Sequence, residues 1–372
     1  MFLGEKRNRM KKVFVYAYLQ FNLGDDLFIK SLIEKYPNTI FYVIADLKYR
    51  KAFRKNRNLK IISNCKSKIK LLDVIKGRVI HHIKRKCKIV IFIGGSIFME
   101  YPEWRNILNW YREMSRDKRS YILGANFGPF YHEDYYLECK KFFSTINDIC
   151  FRDKWSYSLF RSSPNIRYAP DILFSLDVSE YTNCITEKKA VISIIDCESR
   201  NDYPNRLSEH SENYMNCLYR IIEILIYNKF RITILSFCKK EHDDKAAIDI
   251  MRKLDEGDLH NISNISYDGT NIDDILEEIA SSEYVIGTRF HSIVLSFLLK
   301  KPILPIIYNI KTEHLLEDVD FVGNVIDINK LNDISLDNDF IMSNYLNQRI
   351  LNTDKIIKDS KTHFFNLNKE LE

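Results

Sequence analysis

The chain reads as an α/β protein: two Rossmann-like, doubly wound units facing each other across a cleft. Three observations predict this. Short, almost continuously apolar runs, such as IVIFI at 89–93 and ILPII at 303–307, have the composition of strands buried on both faces. These runs alternate with segments whose apolar residues recur at helical spacing. The alternation then starts again after a polar, aperiodic stretch at 175–189. A length of 372 residues, at roughly 150 per domain, agrees with two units.

Taken in order, residues 13–18 form a strand, 25–36 a helix and 39–45 a second strand. The run at 89–93 is a buried strand closed by Gly94-Gly95. Residues 104–114 carry helical spacing, 121–125 and 149–152 are strands, and a helix starts at Lys154. Past the linker, 190–195 is a strand. Met215, Leu218, Tyr219, Ile222, Leu225 and Ile226 then mark one helix face. Strand 232–237, helix 272–280, strand 284–287, helix 289–299 and strand 303–307 complete the second unit. Residues 1–174 are thus expected to form the N-terminal unit and 190–338 the C-terminal one. Residues 339–372 read as helices that pack back on the first.

Composition limits the function. Hydrophobic residues make up 45 % and charged residues 28 %, which excludes a disordered tail or a collagen-like fibre. The net charge of +6 is modest and no nucleic-acid motif is present, so nucleic acid is not an expected partner. Eight scattered cysteines without a CxxC or metal-type spacing read as reduced, buried thiols, with no metal expected. No signal peptide and no membrane-length apolar run is visible, so a cytoplasmic location is expected. Two basic clusters, Lys6 to Lys12 and Lys76 to Lys88, read either as solvated faces or as sites that lean on an anionic membrane surface or substrate.

In doubly wound sheets, ligands bind beyond the carboxyl ends of the strands, so the strand-to-helix loops are the segments to read. The first is QFNLGDD at 20–26, where Asn22 and Asp25 are candidates for binding or deprotonating a hydroxyl, and Asp25 or Asp26 for capping the helix. Gly94, Gly95 and Ser96 let backbone N–H groups approach an anion. GANFGPF at 124–130 offers Asn126 as a hydroxyl-binding amide. In FRD at 151–153, Arg152 offers a planar fork for phosphate or carboxylate, or else a structural ion pair with an Asp, while Asp153 can cap the coming helix. GTRFHS at 287–292 sets Arg289 and His291 at a helix N-terminus, where the dipole favours an anion and imidazole can move a proton. Lys311, past Tyr308, adds charge or is a surface residue of a capped turn. The set implies an anionic donor and a polyhydroxyl acceptor.

Together, NLGDD, IGGS, GANFGPF, FRD, APD at 169–171, GTRFHS and KPILPIIY at 301–308 resemble, in order, the polysaccharide pyruvyl transferase family. The resemblance implies a GT-B-like fold. It implies transfer of the pyruvyl group of phosphoenolpyruvate (PEP) to two hydroxyls of a hexose in a capsular, exopolysaccharide or cell-wall precursor, forming a cyclic ketal and releasing phosphate. PEP is then a co-substrate and no cofactor is needed. By motif, Arg289, His291 and Arg152 carry over as the donor-binding set, with Gly94, Gly95, Ser96 and Lys311 beside them. His291, Arg289 and Asp25 are the catalytic candidates, and Asn22, Asp25 and Asn126 the acceptor-binding ones. The acceptor could be lipid-linked, at the inner face of the membrane. Two other readings share the cleft: a nucleotide-sugar glycosyltransferase, for which Glu313 and Glu317 are the ribose candidates, and a non-catalytic carbohydrate-binding protein. Neither the oligomeric state nor the acceptor sugar is legible.

Overall fold

Hydrogen-bonding needs of buried backbone force the apolar runs into ladders, and in the computed structural model they form two parallel sheets. The structure describes residues 10–63, 65, 70–200, 206–347, 349–350 and 353–372. Lys6, Arg7 and Arg9 of the first basic cluster lie outside these. The first sheet contains β1 (Lys11–Tyr16), β2 (Thr39–Ala45), β3 (Leu59–Ser63), β4 (Ile89–Ile93), β5 (Arg119–Ala125), β6 (Asp148–Phe151) and β7 (Ile166–Tyr168), in the order β3-β2-β1-β4-β5-β6-β7. The second begins with β8 (Glu187–Ile194), β9 (Arg231–Ser236), β10 (Ile262–Ser266), β11 (Ser282–Gly287) and β12 (Ile303–Ile307). After a short β13 (Phe321–Val322) it gains β14 (Ile326–Asp327), in the order β10-β9-β8-β11-β12-β14. β13 instead pairs antiparallel with β15 (Arg349–Ile350).

Both sheets thus repeat one winding: the chain runs to one edge, then crosses back to the other side of the starting strand. β1 meets β4 with Val13 opposite Ile89, and β8 meets β11 with Val191 opposite Val285. Every residue of β4 and of β12 is buried, as continuous apolar strands between two helix layers must be. The units share buried surface. Leu23 and Phe28 of the first helix, Ile172 and Ile293 belong to one apolar cluster. Asp26, fully buried, accepts hydrogen bonds from Tyr49 (2.9 Å) and from Tyr267 of the second unit (2.7 Å).

The sequence reading misses β3, β7, β10 and β14 and the helices Lys70–Lys86, Glu133–Phe143 and Asp243–Lys253. β3 and β10 lie at sheet edges and are half exposed, so they lack the apolar continuity that marks a central strand. β1 starts at Lys11 rather than residue 13, because Lys11 and Lys12 continue the ladder beside Thr39 and Ile40. β6 stops at Phe151, which leaves Arg152 in the loop. β8 begins at Glu187, inside the stretch read as linker.

The C-terminal segment divides between the units. Helix Asn338–Asn347 packs on the second sheet, where Asn344 donates to Ile303 O (2.9 Å) and Tyr284 to Ile341 O (2.6 Å). The last residues return to the first unit: Asn366 donates to Asp148 (2.7 Å) and Asn368 accepts from Tyr36 (2.5 Å). Among the described residues, no helix is long and apolar enough to cross a membrane.

Candidate active site

A cleft of about 800 Å³ opens where the carboxyl ends of the two sheets face each other, the place this winding leaves for ligands. The first unit lines it with Asn22, Asp25, Gly95, Ser96 and Arg152, and the second with Arg200, Glu241, Arg289, His291, Tyr308 and Lys311.

Arg152 leaves β6 and is fixed on three sides. Nη1 donates to Asp171 (3.0 Å), Nη2 donates to Asn126 (2.7 Å), and the guanidinium carbon lies 4.1 Å from the centre of the Phe290 ring. Its partner is therefore Asp171, nineteen residues on, and not the adjacent Asp153. Asp153 instead caps the next helix by accepting from Ser156 N (2.6 Å). The guanidinium is laid flat on Gly95. A Cβ there would come within 2.5 Å of Nη1, so only glycine admits the arginine at this position.

His291 comes from the opposite unit and faces Arg152, with Nε2 3.4 Å from Nη1. Arginine only donates, so Nε2 is the unprotonated nitrogen and Nδ1 carries the hydrogen. The ring stands edge-on to Phe28 and to Phe290, at 5.2 and 5.1 Å. Its other neighbour is Gly24, where a Cβ would lie 1.7 Å from Nδ1. The glycine of NLGDD is thus the notch in the first unit that seats the imidazole of the second. Burial, then the charges of Arg152, Lys311 and Arg289, hold the imidazole pKa well below its usual value and favour its neutral form.

Arg289 borders the cleft, but its fork is turned onto its own unit. Nε donates to Asp243 (2.8 Å), Nη2 grips the other Asp243 oxygen, and Nη1 donates to Glu241 (2.6 Å). Burial opposes this charge, but Asp243 and Glu241 keep the guanidinium firmly protonated. Glu241 also accepts from Arg200, on the same oxygen that binds Arg289. Burial works against Glu241 too, yet Arg289 and Arg200 bring it down to about 2. Among the described residues, none gives the buried Arg200 Nε a hydrogen-bond partner. Asp243, Glu241 and Arg200 were missed by sequence reasoning, although they follow β9 and β8 where the strand-to-helix rule points.

Asp25 and Lys311 titrate near neutrality. Burial raises Asp25 to about 7, with Arg152 offsetting part of the effect and Glu241 adding to it. Burial and the neighbouring Arg152 and Arg200 lower Lys311 to about 8. The Lys311 ammonium donates to Ser96 across the cleft (3.2 Å). Asp25, not Asp26, faces the cleft, since Asp26 is committed to the two tyrosines. Neither caps the helix: Asn22 does, accepting from Gly24 N (3.1 Å), while still bordering the cleft. Asn126 is buried with its oxygen on Arg152 and its amide donating to Gly128 O (3.2 Å). Its oxygen thus helps to hold the arginine, and the residue is not among those that line the cleft. Gly94 takes a φ of +153° behind the lining formed by Gly95 and Ser96.

A sequence model of the polysaccharide pyruvyl transferase family matches residues 22–310. The chain belongs to that family. The match includes the candidate residues from Asn22 to His291 and ends one residue before Lys311. In backbone the chain is similar to the UDP-GlcNAc 2-epimerase of Methanocaldococcus jannaschii, solved with UDP-GlcNAc and UDP (TM-score 0.58, 13% identity, 97% of this chain and 99% of that one). It is also similar to Anabaena HepE in complex with UDP-glucose (0.56, 10%, 97% and 100%), and to the Rickettsia bellii UDP-N-acetylglucosamine 2-epimerase (0.54, 10%, 98% and 97%). At such identity the likeness is one of fold: two parallel α/β units in the GT-B arrangement.

Proposed function

We propose that the protein transfers the pyruvyl group of PEP to two hydroxyls of a sugar, forming a cyclic ketal and releasing phosphate. The observation that supports this most is the meeting of Arg152 and His291, from different sheets, at 3.4 Å beside Lys311 and Asp25. PEP carries an anionic group at each end of a three-carbon frame, and Arg152, Lys311, Arg200 and the Gly95-Ser96 backbone face the space such a frame would take. Arg289 contributes less directly: with Asp243 and Glu241 it fixes the wall and adds field.

The step requires a proton at the PEP methylene carbon, which leaves C2 electron-deficient. A first sugar hydroxyl adds to C2, the bond from C2 to the phosphate oxygen breaks, and a second hydroxyl closes the ring. Of the two hydroxyl protons, one balances that delivered to the methylene and the other leaves with phosphate. Burial and three nearby cations favour the neutral form of His291. A bound dianion or trianion reverses that field, raises the imidazole pKa and equips it to donate to the methylene or the departing phosphate. Asp25, with a pKa of about 7, is suited to take the acceptor proton at neutral pH. Fixed positive charge around the leaving phosphate supplies the stabilisation that water would have to reorganise to give.

The nucleotide-sugar alternative gains nothing from Glu313 and Glu317, since neither borders the cleft. The deciding experiment incubates the purified protein with PEP and a panel of glycosyl acceptors, and separately with UDP-sugars. Phosphate release with a product heavier by one pyruvate less one water supports the proposal. Nucleotide release without PEP turnover would replace it.

A further inference from the structure

The helix Lys70–Lys86 has apolar residues on both sides. Ile80, Ile83 and Cys87 turn inward, as expected for a helix covering a sheet. Yet Val74, Ile75 and Val79, on the outer face, keep about half of their surface in water (51, 48 and 49 %). They share that face with exposed Arg78, Arg85 and Lys86. From Val74 to Lys88 the chain holds six Lys and Arg and no acidic residue.

On the inward side of the same helix, contacts run through Lys84 to the neighbouring helix that carries Trp110. The Lys84 ammonium sits over the Tyr16 ring (5.3 Å) and 3.5 Å from the Met114 sulfur. Tyr16 packs edge-on against Trp110 (4.7 Å). Trp110 is partly exposed, as is Ile107 one turn earlier, and Ile107 borders the cleft.

We propose that this face binds an anionic lipid surface, with helix Lys70–Lys86 lying in the headgroup layer. Scattered exposed aliphatics need no explanation. Three on one outward face shared with Arg78, Arg85 and Lys86, with a partly exposed tryptophan on the helix Trp104–Ser115, match the pattern of an interfacial helix. Aliphatics enter the acyl boundary, Lys and Arg meet headgroup phosphates, and indole settles at the polar interface. A second copy of this chain is disfavoured as occupant, because it would set one basic face against another. The proposal is independent of the donor: a membrane-bound enzyme would meet an acceptor carried on a lipid.

The test is co-sedimentation of the full chain with phosphatidylcholine vesicles with and without phosphatidylglycerol, at low and high salt. Binding is expected only to the anionic vesicles, weakening with salt, with a blue shift of tryptophan emission that Trp110→Phe diminishes. Replacing Arg78, Arg85 and Lys86 by Ser should weaken binding roughly fivefold per charge. The triple change Val74→Ser, Ile75→Ser and Val79→Ser should remove it while leaving the thermal midpoint, and turnover of a small water-soluble acceptor, as in the parent. Equal partition onto neutral vesicles, or none onto anionic ones, overturns the proposal. So does a concentration-dependent dimer that the Val74, Ile75 and Val79 changes dissolve. Absence of PEP turnover would leave the vesicle result standing and count against the donor assignment alone.

Discussion

Gly24→Ala adds one methyl group at the point where the two units meet. The new carbon would lie 1.7 Å from His291 Nδ1, 2.3 Å from Cγ and 2.5 Å from Cε1, well inside van der Waals contact. The imidazole cannot simply lean away, since Phe28 and Phe290 pack against it at right angles and Arg152 is in front. Either the ring swings out of the cleft or the units part by an ångström or more. Overpacking of this kind costs about 1–3 kcal/mol, and the better helix propensity of alanine returns up to ~1 kcal/mol, so the chain should stay folded with a modestly lower melting point. Activity suffers more: a proton donor displaced by ~1 Å loses on the order of a hundredfold. The assay is PEP-dependent phosphate release, with kcat and KM measured separately, for Gly24→Ala, His291→Ala and the double variant. The loss is expected in kcat, and the double variant should be no slower than His291→Ala, because the clash needs the ring. A Gly24→Ala enzyme within twofold of the parent would refute the seating of His291 in that notch. So would a double variant whose losses multiply.

Other consequences follow from the same geometry. Arg152→Lys keeps the charge but cannot reach Asp171 and Asn126 together, so KM for PEP should rise at least tenfold, and Asp171→Asn should reproduce most of that rise while lowering stability by about 3 kcal/mol, the usual cost of orphaning one member of a buried pair. In kcat/KM, activity should fall as pH drops through about 7, where Asp25 takes up a proton, and again above about 8, where Lys311 loses one. Asp25→Asn should abolish most of the rate. The folded carboxyl binds its proton more tightly than the unfolded one, so between the ordinary aspartate range and pH 7 the ionised form costs stability as pH rises, and Asp25→Asn should raise the thermal midpoint more at pH 8 than at pH 5. Arg200→Ala should weaken PEP binding several-fold with little effect on folding, and an unchanged KM would remove Arg200 from the donor site.

Much of this molecule is legible in one dimension because parallel strands covered on both faces have to be apolar throughout. β4, β5, β9 and β12 stand out for that reason, and the loops after them fall where ligands bind in this winding. The edge strands β3 and β10 are not legible, because half of each faces water and its pattern resembles loop. Residue types in the loops were enough to nominate Asn22, Asp25, Arg152, Arg289 and His291. How each is used was not contained in them. Asp25 and Asp26 are neighbours of identical chemistry, and only the approach of Tyr49 and Tyr267 commits one to the interior and leaves the other to the cleft. Arg152 chooses Asp171 over the adjacent Asp153, Asn126 spends its oxygen on that arginine, and Arg289 is claimed by Asp243 and Glu241. A glycine reads as a turn until the opposite unit lays an imidazole on it. Local sequence fixes what the backbone does over a few residues. Charge pairing and close approach are settled between groups far apart in the chain, Tyr267 and Asp26 being separated by 241 residues and Tyr36 and Asn368 by 332, and so by the folded arrangement alone.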